Sequence, residues 1–318
     1  MNSCPPKTTT ERPRILGALL LAAFTTAGCS SLPPSHAISS VEIYRTGDYS
    51  EGVVLDREGN LYFSHGKVIT KVPVSGPPFT WAETGAPNGH KILADGSHLV
   101  CDGPRHAVLR LDADGNFIGN AATTCNGKAL RGPNDLCLDP GGGFYFSDPG
   151  NSSLDNQIGT VHYVDLSNPD SSTNTHLVAE GLAYPNGIVL SHDGKTLFLG
   201  ESPANRILVI EVLGPQSWSK PTVFASLPTK GEGQSDNQPD GMCLDAAGNL
   251  YVAHYGMRRI QVLSPDGELL RSYDGGNSTT SNCCFGGPRL DQLFVTGGDP
   301  GALFRLDLGV RGLDIRPR

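Results

Sequence analysis

Positive charge is scarce in this chain. Lys and Arg number 24 against 32 Asp and Glu among 318 residues, a formal net charge of -8. No basic run is present, which excludes a nucleic-acid groove, because such a groove needs clustered cations to neutralise phosphates. Also missing are the Gly-x-Ser-x-Gly elbow, the phosphate-binding glycine loop and the His-Glu-x-x-His pair, so serine-hydrolase, nucleotide and zinc-protease chemistries have no basis here. Cysteines number 8, yet none is spaced Cys-x-x-Cys as a thiolate zinc site requires. Charged residues make up only 18%, and no stretch carries an obvious helical pattern.

Turn formers are plentiful instead, with 40 Gly and 24 Pro. That balance suits many short strands joined by tight turns, so an all-β chain forming one large domain is expected. The first residues read as an address. Lys7, Arg12 and Arg14 precede an apolar run over 15–27 that is too short to span a bilayer as a mature helix. The run ends in Ala27, Gly28 and Cys29, which resembles a lipobox with Thr26 where Leu is usual. This predicts a lipoprotein-type signal peptide over 1–28, lipidation of Cys29, a flexible tether over 29–40 and a folded domain over 41–318. The protein is then an exported periplasmic or cell-surface lipoprotein touching the membrane only through its lipid anchor; ordinary cleavage to a soluble exported form is the alternative. Cys137 and Cys243 fall at apolar strand positions and read as small buried hydrophobes. Export would permit a bridge between Cys101 and Cys125.

Self-similarity organises the rest. Residues 51–64, 134–147, 186–199 and 240–253 each read as a polar residue, a short apolar strand, an Asp/Gly-type turn and an aromatic strand. Weaker copies run over 88–101 and 285–295. Each copy is a β-hairpin whose turn glycine supplies positive φ, and the spacing of roughly 40 to 55 residues fits one four-stranded blade per copy. Six copies predict a six-bladed β-propeller, with strands near 40–44 and 302–307 sharing the blade that closes the ring.

The residue opening each copy carries the chemistry. It reads Glu51, Asn88, Asn134, Asn186, Asp240 and Phe285. Innermost strands surround a propeller's axis, so equivalent positions form a ring, and five of these six side chains bring oxygen. Asn and Asp before Gly also cap ordinary turns, but five caps at one register favour a central metal site. Oxygen donors without His or Cys are chemically hard, which selects one divalent cation, Ca2+ foremost, with Mg2+ or Mn2+ next and Zn2+ last. His90, His98 and His254 read as structural or exposed, while Asp135 and Asp148 read as partners of the ligands or as turn caps.

The motifs Ser50-Glu51-Gly52, Gly132-Pro133-Asn134-Asp135, Tyr184-Pro185-Asn186-Gly187, Gln238-Pro239-Asp240-Gly241 and Cys284-Phe285-Gly286-Gly287 together resemble the senescence marker protein (regucalcin), gluconolactonase and luciferin-regenerating enzyme family. The resemblance implies a metal-dependent lactonase opening a small cyclic ester. It implies Glu51, Asn186 and Asp240 as metal ligands, Asn134 beside the metal on ligand or substrate duty, and Asp240 also as the catalytic base. Asn88 and Arg131 join Asn134 as substrate-binding candidates; Gly132 follows Arg131 where the family pattern often sets Arg directly before the Pro. Two other readings stay open. A phosphotriesterase-like hydrolase would use the same site with Asp240 as nucleophile, and a non-catalytic tethered propeller would bind a ligand or protein with the ion only pinning the blades.

Overall fold

Hairpin turns recur where Asp and Gly stand together, and their geometry explains the repeat. In the first copy Asp56 accepts the Asn60 N–H at 2.8 Å while Gly59 turns at φ +93°; in the fifth Asp245 accepts the Asn249 N–H at 2.9 Å and Gly248 turns at φ +87°. The structure, a computed structural model describing residues 32–167 and 174–315, arranges these hairpins as six antiparallel sheets in ring order.

Blade 1 has its inner strand at Ser50–Leu55, paired to Leu61–His65, then Val68–Val72 and Phe79–Glu83. The inner strands of blades 2 to 5 are Pro87–Ile92, Leu136–Asp139, Pro185–Leu190 and Gln238–Leu244. Blade 6 is made from both ends of the domain: Thr279–Gly286, Gln292–Gly298 and Ala302–Asp307 from the C-terminal side, with Ser40–Arg45 as the outermost strand. The expected closure by shared strands is thus observed, and pairing Val41 to Arg305 and Glu42 to Phe304 joins the ring.

Successive inner-strand side chains face opposite neighbouring blades, which is why these strands are apolar on both sides. Val54 packs with Ile92 and Val100 between blades 1 and 2, Cys137 with Ile188 and Leu199 between blades 3 and 4, and Cys243 with Phe285 and Val295 between blades 5 and 6. Cys137 and Cys243 are the small buried hydrophobes expected. Cys101 and Cys125 share one apolar cluster as free thiols, so the bridge considered for them is not formed.

Two expectations change. Inner strands of blades 1, 2, 4, 5 and 6 break register at their openings, between Glu51 and Val54, Pro87 and His90, Pro185 and Ile188, Pro239 and Met242, and Thr280 and Cys283. Matching on that bulge, Ser281 and Asn282 occupy in blade 6 the places held by Asp240 and Gly241 in blade 5. Phe285 lies further along, paired to Leu293 near the turn, because Phe285-Gly286 imitates in sequence the Asn-Gly openings of the other blades. The other change concerns the segment before the domain. Leu32 and Ile38 pack against the core between blades 5 and 6, and Tyr273 donates its hydroxyl proton to the Pro33 carbonyl at 2.8 Å. The part of the expected tether from Leu32 onward is therefore docked by apolar burial. The expected signal peptide and Cys29 lie outside the described residues.

Candidate functional site

Every inner strand runs from the same end of the ring towards its hairpin turn, so the bulged openings share one mouth. At the other end Lys91, Leu313 and Ile315 line a small cavity with residues of four inner strands. The Leu313 N–H bonds the Leu244 carbonyl at 2.9 Å there.

The bulge depends on close backbone approach between blades. A Cβ on Gly52 would collide with the Asn88 carbonyl, and one on Gly187 with the Asp240 carbonyl. Those approaches crowd the polar openings together. Tyr49 Oη donates to Glu51 Oε1 at 2.9 Å and lies 3.4 Å from Asp240 Oδ2, so one phenol touches carboxylates from blades 1 and 5. Asn186 donates Nδ2–H to Ser202 Oγ at 3.1 Å, and Ser202 Oγ donates to the Pro239 carbonyl at 2.7 Å. Tyr184 bonds Asn134 and senses both Asp240 and Glu51. Glu51, Asn134, Asn186 and Asp240 are each less than a tenth exposed, and Asn88 is half-buried at the equivalent place in blade 2.

Burial, aided by the Asp135 charge and opposed by the Tyr49 and Gly52 bonds, pushes Glu51 up to about 8. Asp240 is raised well above the ordinary carboxylate range, first by burial and then by the charges of Glu51 and Asp135. Two carboxylates held this way strain against each other unless protons or a cation intervene. The carboxamides add a second sign: Asn88 Oδ1 and Asn186 Oδ1 are buried with no hydrogen-bond partner. A buried acceptor left unpaired costs about 1–3 kcal/mol. Two carboxylates plus carboxamide oxygens are a hard donor set, and it fits a cation such as Ca2+. Among the described residues no three His, Cys, Asp or Glu side chains cluster as a charged metal cage; this set relies on neutral Asn oxygens.

Beneath the ring lies a tier that sequence reading left half unseen. Asp135 Oδ1 accepts the Leu136 N–H at 2.8 Å, and the Cys283 N–H bonds Asn282 Oδ1 at 2.8 Å. Held so, the Asn282 side chain hydrogen-bonds both Glu51 and Asp135. Asp135 is thus a partner of the ring, as expected. Asp148 has the other role: its carboxylate accepts the Arg131 and Gly132 N–H groups at 2.7–3.0 Å and fixes the turn into Pro133-Asn134. Arg131 itself is exposed at the rim. His90 and His98 bond each other at 2.7 Å in a buried contact beside Trp81, and His254 bonds Asn205 at 3.0 Å. All three are structural.

With this geometry the comparison with known proteins is direct: the SMP-30/Gluconolactonase/LRE-like region is matched over residues 49–299. The chain belongs to this family. Among similar relatives is the lactonase drp35 of Staphylococcus saprophyticus, 32% identical over 84% of this chain and 84% of its own. A gluconolactonase from Xanthomonas campestris superposes with a TM-score of 0.73 at 26% identity, covering 88% of this chain and 96% of that one. Regucalcin from Agrobacterium tumefaciens, described as a calcium-binding protein, shares the fold with a TM-score of 0.69 at 18% identity over 87% and 97% of the two chains. The matched region begins at Tyr49, whose place just before Ser50-Glu51 was the available sign of a mouth residue that the repeat pattern alone passed over; Tyr184 before Pro185-Asn186 was another.

Proposed function

We propose that this protein is a metal-dependent lactonase, taking one Ca2+ ion at the axial mouth and opening a small sugar-type lactone. The observation that carries the reading is the convergence of Glu51 and Asp240 with the unpaired Asn186 oxygen at one mouth, in a chain whose family includes proteins named lactonase and gluconolactonase. Glu51, Asn186 and Asp240 are the assigned ligands, with Asn134 beside them. When bound, the cation supplies a Lewis acid for the lactone carbonyl.

The remaining chemistry falls to the chain. Asp240 takes a proton from water as hydroxide adds to the carbonyl carbon, and returns it to the ring oxygen as the ring C–O bond breaks, giving a hydroxy acid. Asn134, Asn88 and Arg131 orient the substrate. Export with lipidation at Cys29 belongs to the same proposal. Only Ser30 and Ser31 then separate the lipidated Cys29 from docked Leu32, about 11 Å of extended chain, which keeps the enzyme at the membrane surface.

The test is hydrolysis of sugar, aliphatic and aromatic lactones by the protein starting after Cys29, with chelator and with Ca2+, Mg2+, Mn2+ or Zn2+ restored. Ca2+-restored acid release supports the reading. A folded, Ca2+-loaded protein inert to the whole panel overturns it in favour of a phosphoester substrate or a binding role. Asp240→Asn with the ion still bound should lose about 10²–10⁴-fold in turnover; retained turnover removes Asp240 as the base.

A further inference from the structure

Three tyrosines stand at the mouth on one arc of the ring, and the function above leaves them without a role. Tyr49 precedes the inner strand of blade 1, Tyr184 precedes that of blade 4, and Tyr255 ends the second strand of blade 5, paired to Gln238. All three positions lie at the mouth end, opposite the hairpin turns. The Tyr49 and Tyr255 rings meet edge to face with centroids 6.2 Å apart. Blade 6 makes room for the Tyr49 ring by presenting Gly298 at its mouth end: a Cβ on Gly298 would lie 2.8 Å from Tyr49 Cδ2.

Tyr184 is held more expensively. Its φ is +46°, a left-handed conformation that costs a non-glycine residue roughly 1–2 kcal/mol. Two bonds hold it there, from its N–H to Ser152 Oγ at 2.9 Å and from the Ser202 N–H to its carbonyl at 3.2 Å. Strain of this kind concentrates where position matters for function. Tyr49 is 42% exposed although its hydroxyl is inserted between two carboxylates, so the ring faces the open mouth. Blades 2 and 3 bring no aromatic ring among the residues placed at the opening; they bring Asn88, Asn134 and Arg131.

We propose that Tyr49, Tyr184 and Tyr255 form an aromatic wall against which the ring of the substrate lies flat, its polar substituents turned to the carboxamides and Arg131 of blades 2 and 3. Aromatic faces accept the C–H face of a puckered ring through dispersion and burial, while phenols cost little conformational entropy to hold in place. The wall therefore sets which lactones enter and how they lie, and does so without touching the reacting bond. It rests on the lactonase reading for its substrate class.

Tyr255 is the cleanest probe, because it donates no bond to an assigned ligand. Tyr255→Phe should keep the KM of the parent, whereas Tyr255→Ala should raise KM for the best lactone about 5–10-fold with kcat within about twofold, and Gly298→Val, which pushes Tyr49 aside, should raise KM likewise. Ca2+ affinity by calorimetry and melting temperature should stay at parental values in the Tyr255 variants. Equal KM in the parent, Tyr255→Phe and Tyr255→Ala overturns the wall, as does a KM shift matched by loss of Ca2+ affinity. If the parent hydrolyses no lactone, the lactonase reading falls, and the wall is decided by calorimetric binding of 1,5-anhydroglucitol to the Ca2+-loaded protein. Binding weakened in Tyr255→Ala but not in Tyr255→Phe upholds it, and absent or unchanged binding sinks it.

Discussion

At the scale of single residues, the mouth is a problem in charge. Glu51 and Asp240 are buried side by side, and burial raises both. The consequence for stability has a definite sign. A carboxyl whose folded value rises from 4.5 to about 8 holds its proton more tightly in the fold; the stability this contributes is full below 4.5 and is lost as pH climbs through 8. In the function proposed here Ca2+ takes the place of those protons. The rise in melting temperature on adding Ca2+ to chelator-treated protein should therefore be small near pH 5 and largest near pH 8, and scanning calorimetry across that range checks it. A Ca2+ effect that shrinks as pH rises would exclude these carboxylates as the site. Glu51→Gln removes a formal charge from the donor set while keeping its shape, and should weaken Ca2+ by at least about tenfold in calorimetry, in line with the dependence of such affinity on ligand charge.

At the scale of strands and hairpins, the bulge at the openings of blades 1, 2, 4, 5 and 6 is the device that turns polar side chains into the mouth. Its tolerance is narrow. Gly187→Ala would set a methyl group against the Asp240 carbonyl, so that variant should melt lower and bind Ca2+ more weakly together, which distinguishes it from a core substitution. Leu197, fully buried between blades 3 and 4, offers that comparison: Leu197→Ala should cost about 2–5 kcal/mol in denaturant unfolding with Ca2+ affinity unchanged. Entry turns are secured by carboxylates at the end of second strands, Asp102 on the Gly85 and Ala86 N–H groups and Asp148 on those of Arg131 and Gly132. Asp148 was legible as a partner of the ligands or a turn cap, whereas Asp102 passed unread; which turn each secures was not, because their partners come from 16 or 17 residues earlier in the chain.

At the scale of the whole molecule, the ring is held shut by one antiparallel pairing, Ser40–Arg45 on Ala302–Asp307. Without that strand blade 6 would keep three strands and leave Ala302–Asp307, with Phe304, as an unpaired edge. A chain beginning at Gly47 should melt lower and scatter light as it unfolds, measured against the chain beginning after Cys29; equal melting would mean that the closing strand adds nothing to the ring.

What the sequence determined by itself was the repeat, the closure by shared strands and the equivalence of Glu51, Asn134, Asn186 and Asp240, because hairpin turns and strand alternation are local properties that a period reveals. The opening of the sixth blade escaped it for a physical reason. That opening is Ser281-Asn282, while Phe285-Gly286 carries the apparent match, and only pairing to Gln292–Gly298 shows where the bulge falls. The docking of Leu32 and Ile38, the Asn282 link to Glu51 and Asp135, and the arc of tyrosines likewise belong to tertiary structure alone. They join residues far apart in the chain, and such contacts are chosen by how the blades stack around the axis rather than by any residue's own propensity.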